Sequence, residues 1–96
     1  MKTNETILTH GQRTDDNWTW GTATVNGVTY AFQIKHFDEP SMYGIASGRI
    51  SKLWMRRAGD AQAVLAYDRG WQRGFTPHGK GAEVRAAYRA IIAKFN

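Results

Sequence analysis

Cysteine is missing from all 96 residues. Its absence excludes disulfides, thiolate nucleophiles and cysteine-ligated zinc or iron–sulfur centres, and suits a reducing, cytoplasmic setting. Long apolar runs are missing too: no stretch nears the ~18 residues of a membrane span, so no membrane partner is expected. The first residues lack the basic-then-apolar pattern of a signal peptide. Proline occurs only at Pro40 and Pro77. No serine sits in a nucleophile elbow and no Walker glycine loop exists. No enzyme, cofactor or metal centre is expected from such a chain. Negative charge is also scarce, at 8 Asp and Glu against 13 Lys and Arg, for a net +5.

What acid there is lies early. Residues 1–40 hold three cations against five carboxylates, a net −2, and residues 41–96 hold ten against three, a net +7. A basic second half attracts polyanions over long range, and it also serves simply as a soluble surface. Aromatic residues are plentiful, with four each of Trp, Tyr and Phe. The length fits one domain.

The strongest local signal is WTWGTATVNGVTYAFQIKHF, Trp18 to Phe37. Asn26-Gly27 between alternating apolar residues predicts a hairpin with a two-residue type I′ turn. That turn fixes the register, pairing Val25 with Val28, Ala23 with Tyr30, Gly21 with Phe32 and Thr19 with Ile34. One face then carries Val25, Val28, Tyr30, Phe32 and Ile34, a core face on which Gly21 leaves room for the Phe32 ring. The other carries Trp18, Trp20, Thr22, Thr24, Thr29, Ala31, Gln33 and Lys35. Two tryptophans beside a lysine are either covered by another segment or form a contact surface.

Residues 1–17 read as a polar arm, within which ETILTH has the look of a short edge strand. The segment HFDEPSMYGIASG, His36 to Gly48, is an ordered loop, because Pro40 stops a strand and Gly44 and Gly48 punctuate it. Asp38 and Glu39 are adjacent and diverge in a strand, unlike paired catalytic carboxylates. His36 with Asp38 supplies two metal-ligand types but no third, which favours a hydrogen-bonded histidine. RISKLWMRRA and AQAVLAYD, around Gly59-Asp60, predict a second hairpin. A two-residue turn there pairs Met55 with Val64, Trp54 with Leu65 and Lys52 with Tyr67, although longer loops also fit.

RGWQRGFTPHGKG, residues 69–81, is a long loop whose Trp71 and Phe75 either plug it onto the sheet or alternate with Arg69 and Arg73 in recognition. Gly79-Lys80-Gly81 ahead of a helix has the backbone for one phosphate, and equally suits a flexible helix entry. Residues 80–96 repeat Val84, Tyr88, Ile91 and Phe95 on one helical stripe, flanked by Ala87 and Ile92, and Lys94 complements the dipole in the last turn. The helix is expected on the face of Tyr30, Phe32, Ile34, Leu53 and Val64. His10 and His78 lie in polar loops.

The aromatic strand pair ending in Phe32 and Lys35, then FDEPSMYGIASGRISKL (Phe37 to Leu53) and YDRGW (Tyr67 to Trp71), carry a resemblance. From about Trp20 to Pro77 the chain is similar to a family of small uncharacterised bacterial and phage proteins. The likeness implies a compact sheet-rich domain and carriage on mobile elements, and it transfers no catalytic residue. The chain departs from that family in having Gln72 where an acid usually follows the tryptophan, and in its more basic C-terminal helix.

The expected fold is α+β: an antiparallel four-stranded β-meander over residues 18–96, with one C-terminal helix packed on one face. The expected function is a small non-catalytic binding module for nucleic acid or a nucleoprotein complex. Trp18, Trp20, Trp54 and Tyr67 would stack or anchor, and Lys35, Lys52, Arg56 and Arg57 would meet phosphates. Arg69, Trp71 and Arg73 would extend the surface along the loop. The same residue types suit a protein hot spot, so the alternative is a phage or mobile-element protein-binding inhibitor or accessory protein, for example of a bacterial defence complex; the expected partner is nucleic acid or an acidic protein or nucleoprotein complex.

Overall fold

Asn26 and Gly27 adopt φ of 50° and 80°, the two positive values that a type I′ turn needs. In the computed structural model, which describes residues 5–96, this turn joins β2 (Trp18–Val25) to β3 (Val28–His36). The register runs from Val25↔Val28 out to Trp18↔Lys35, as the turn dictates. Ala23, Val25, Tyr30, Phe32 and Ile34 are buried on one face. A Cβ on Gly21 would lie 2.7 Å from Phe32 Cζ and would also collide with the Thr9 carbonyl oxygen. The glycine therefore admits both the ring and a neighbouring strand.

That neighbour is a correction to the expected four strands. ETILTH supplies β1 (Thr6–His10), paired antiparallel to β2 from Thr6↔Val25 to His10↔Gly21. The sheet has five strands in the order β1-β2-β3-β4-β5, with β4 at Ile50–Arg57 and β5 at Ala63–Asp68. Five mostly polar residues carry little hydrophobic signal. Their strand state comes from the unpaired edge that β2 offers. The start of the expected arm, residues 1–4, lies outside the described residues.

The second hairpin also departs from its simplest form. Met55 pairs with Leu65, Trp54 with Ala66, Leu53 with Tyr67 and Lys52 with Asp68. The connection spans residues 58–62, and the pairing is irregular between Met55 and Arg56. Arg56 still faces Ala63, the pairing of a two-residue turn, but the irregular step adds Val64 as an extra residue, so from Leu65 onward β5 has slipped by one residue, which exchanges its faces. Leu65 and Tyr67 are buried where Val64 and the open face were expected. A second irregularity, between Lys35 and His36, sets Ile50 opposite His36. It turns Ile50 into the core, fully buried, although plain alternation places it with Lys52 and Trp54.

Helix α1 (Ala82–Phe95) covers the β1–β3 side of the core face. Val84, Ala86, Ala87 and Ile91 are buried, and Tyr88, Ile92 and Phe95 pack beside them. Phe95 inserts its ring near Phe32 (6.1 Å between centroids) and between His10 (5.0 Å) and His36 (5.3 Å). Trp71 completes the layer, edge-on to Tyr67 at 5.0 Å and Tyr88 at 5.6 Å. It is therefore a plug on the helix side. Ile45, in a tight turn at Ile45–Ser47, joins the same cluster. That turn is clamped by Asn96, whose Oδ1 accepts from Ile50 N–H at 2.9 Å and whose Nδ2 donates to the Ile45 carbonyl at 3.0 Å.

Candidate functional site

The helix occupies one sheet face, and the opposite face stays open across its middle. Trp20 on β2, Gln33 on β3, Trp54 on β4 and Ala66 on β5 stand in one cross-strand row. Trp20 is 51% exposed and Trp54 47%, large values for indoles within a sheet. Two inter-strand spacings, about 9–10 Å, separate their backbones. Trp20 Nε1–H donates to Gln33 Oε1 at 2.9 Å, which fixes the indole's orientation. Trp18 lies beside Trp20, ring centroids 6.0 Å apart, and is half-buried. Lys35 and Lys52 face each other across β3 and β4 one step along, and Arg56 flanks Ala31 on the other side.

Two hollows flank Trp54. The larger, about 510 Å³, runs from Trp18 and Gln33 past Lys52 to Ala66, Gln72 and Phe75. The smaller, about 150 Å³, lies between Trp20, Gln33, Trp54 and Arg56. Both present ring faces and amides with cations at the margin. Phe75 thus lines the open face, while Trp71 of the same loop fills the helix side. The segment carrying them is tied to β5: Ala66 N–H donates to the Phe75 carbonyl at 3.0 Å, and Gln72 N–H to the Ala66 carbonyl at 3.1 Å.

The expected site residues divide. Trp18, Trp20, Lys35, Lys52, Trp54 and Arg56 share the open face. Tyr67 does not, because of the β5 slip; it is buried, and its hydroxyl donates to the Tyr43 carbonyl at 2.8 Å. Arg57 stands opposite Tyr30, on the helix side. Arg69 lies at the edge, near the Lys35 end of the face, and Arg73 is exposed in its loop. Gln33, Gln72 and Phe75 line the larger hollow, and Phe37 and Tyr43 a separate depression beside Lys35 and Arg69, without having been singled out as site residues. The alternation that puts Lys35 on the open face carries Gln33 with it, so Gln33 was within reach of sequence reasoning. Tyr43 was not, because a loop has no face to count.

Electrostatics on this side are lopsided. Asp68 lies 3.8 Å from both Lys52 and the Arg69 guanidinium. Such exposed pairs contribute little stability. Lys35 Nζ lies 6.0 Å from the Trp18 ring and 5.9 Å from Phe37, within cation–π range.

Several other titratable groups are engaged in hydrogen bonds. His36 Nε2 and Thr19 Oγ1 share a hydrogen bond at 2.8 Å, and Asp38 accepts from Arg13 at 2.6 Å. No group of three or more metal-ligating side chains occurs among the described residues. Lys80, considered for a phosphate at the helix start, donates to the Gly74 carbonyl at 2.9 Å. Burial, followed by the Arg13 charge, lowers the His36 pKa below the ordinary value of 6.5. Because the unfolded chain then binds the proton more readily, stability from this group is complete above about pH 6.5 and is lost as pH falls toward the lower folded value. Urea melts at pH 7.5 and 5.5 should show a lower midpoint at 5.5. His36→Gln should flatten that difference; an unchanged pH slope in the variant would remove His36 as its cause.

No helix among the described residues is long and apolar enough to cross a membrane. No curated protein and no solved structure matches the chain. A family model does match, across residues 17–96, from the entry into β2 to the end of the helix, so that the open face and its hollows all lie within it. The chain belongs to the family described as Domain of unknown function (DUF7678).

Proposed function

We propose that the protein is a non-catalytic binding module for single-stranded nucleic acid, engaged through the open sheet face. The observation that carries this reading is the row Trp20–Gln33–Trp54: two half-exposed indoles on alternate strands with an amide between them. Indoles offer every base a stacking face, and a stacked base must be unpaired, so the surface favours single strands over duplex. Lys35, Lys52 and Arg56 border the row and supply the phosphate partners. The +7 of residues 41–96 supplies the longer-range attraction. The hollows beside Trp54 are open troughs suited to splayed bases.

Fluorescence anisotropy with labelled eight- to twelve-residue oligonucleotides tests this. Binding should be tightest for single strands and should weaken log-linearly with salt, with a slope near −0.7 per neutralised phosphate. Trp20→Ala and Trp54→Ala should each weaken it by about 1–3 kcal/mol, the usual worth of one stacked base. Absence of binding at 20–50 mM salt to a mixed-sequence panel would reject the reading. An acidic protein recovered from nuclease-treated lysate, whose binding is lost in the same two variants, would replace nucleic acid as the partner.

A further inference from the structure

Beyond the open row, at the end of the face where β3 leaves the sheet, a depression of about 380 Å³ lies between Lys35, Phe37, Ser41, Tyr43, Lys52 and Arg69. We propose that this depression binds the terminal phosphate of a nucleic-acid strand lying on the open face, with the end base against Tyr43. The proposal rests on the binding mode above and adds a subsite that distinguishes one kind of strand end from another.

Three cations converge there, and Asp68, 3.8 Å from both Lys52 and Arg69, offsets one of them. The remaining balance of two positive charges matches a phosphate monoester, which carries close to two negative charges at neutral pH, better than the single charge of an internal diester. The cations come from three separate segments, and the backbone fixes each. Arg69 takes a left-handed conformation, φ 56°, and its N–H donates to the Ser51 carbonyl at 2.9 Å. Ser51 in turn directs its hydroxyl at the Lys35 carbonyl, 3.4 Å away. Lys52 follows Ser51 directly. The depression is thus tied together beneath its cations.

The aromatic wall is held in the same way. The Tyr43 carbonyl accepts from the buried Tyr67 hydroxyl at 2.8 Å, while the Tyr43 side chain is 55% exposed. The backbone from which the Tyr43 ring projects is therefore fixed, and the exposed ring is available as a stacking surface. Phe37 differs, since Lys35 Nζ already lies 5.9 Å from its ring. Ser41 Oγ accepts from Tyr43 N–H at 3.2 Å, which leaves the hydroxyl proton to donate to a phosphate oxygen. Lys52 lines both this depression and the large hollow beside Trp54, so one strand can pass from one to the other without leaving positive charge.

The test is a competition assay with the full chain. Unlabelled octanucleotides carrying a 5′-phosphate, a 3′-phosphate or two hydroxyl ends displace a labelled strand. A terminal phosphate at one end should improve competition on the order of tenfold. Ser41→Glu, which places a carboxylate in the depression, should erase that ratio and leave the hydroxyl-ended strand within about twofold of its original affinity. Arg69→Ala should reduce the ratio as well. Equal competition by phosphorylated and hydroxyl-ended strands would overturn the proposal, as would an unchanged ratio in Ser41→Glu. If no strand binds at all, the proposed function fails, and the depression is judged alone by titrating a nucleoside 5′-monophosphate and following amide NMR shifts. Saturable shifts at Tyr43 and Arg69 would support the subsite, and their absence would overturn it.

Discussion

Truncation after Gly81 should abolish cooperative folding. Helix α1 buries Val84, Ala86, Ala87 and Ile91 against the sheet and partly buries Tyr88, Ile92 and Phe95. At ~1.5–3 kcal/mol for each large apolar side chain fully buried, and less for the partly exposed ones, the loss is on the order of 8–10 kcal/mol. That is comparable with the whole stability of a small domain, ~5–15 kcal/mol. Among the described residues there is no second α-helix with which to compensate. The sheet's buried face would instead expose Val25, Tyr30, Phe32 and Ile34 to water. Far-ultraviolet circular dichroism and a urea titration of residues 1–81 are the measurement. A sigmoidal transition in the truncated chain would show that the five strands hold together without their cover.

The second large effect is expected at the end of the same helix. Asn96→Ala removes two hydrogen bonds at once; the Ile45 carbonyl keeps the Gly48 N–H at 2.8 Å, but Ile50 N–H loses its Asn96 partner beside a fully buried side chain. At ~1–3 kcal/mol for the buried N–H left unmet and ~0.5–1.5 kcal/mol for the second bond lost, the cost is about 2–4 kcal/mol. A companion substitution isolates the contact. A Cβ on Gly48 would fall 2.5 Å from Asn96 Cγ, so Gly48→Ala should push the carboxamide away and cost about 1–3 kcal/mol by overpacking. In the Asn96→Ala background the obstacle is gone, and Gly48→Ala should then be nearly neutral. Urea-derived stabilities of the four proteins form a double-mutant cycle. Simple additivity would mean that Asn96 and Gly48 do not meet as described.

Legibility from sequence followed the reach of each physical signal. The Asn26-Gly27 turn is local and stereochemical, and it gave the full β2–β3 register together with the side on which Trp18 and Trp20 stand. The stripe of Val84, Ala87 and Ile91 is a periodicity, and it placed the buried side of the helix. β1 depends on an edge supplied elsewhere in the chain, and its own five residues only hint at it. The β4–β5 register starts as Gly59-Asp60 dictates, with Arg56 opposite Ala63, but the irregular step between Met55 and Arg56 adds Val64 as an extra residue, and that step moved Tyr67 from the open face to the core. Ile50 entered the core through an irregular step that alternation does not encode. Of the candidate site, the strand residues Trp18, Trp20, Lys35, Lys52, Trp54 and Arg56 were legible as sharing a face. The hollows beside them depend on Tyr43, Gln72 and Phe75, which loops deliver by tertiary hydrogen bonds.

The loop that follows β5 doubles back along it, and both the N–H and the carbonyl of Ala66 are taken up by Phe75 and Gln72. That margin of the sheet is blocked at its middle. Among the described residues β1, at the other margin, pairs only with β2, and it carries Ile7 65% exposed. A sheet with one blocked border has a single place to accept a foreign strand. Antiparallel addition of a second copy there would use up that place on both molecules, so strand pairing between copies ends at two and has no route to a fibre.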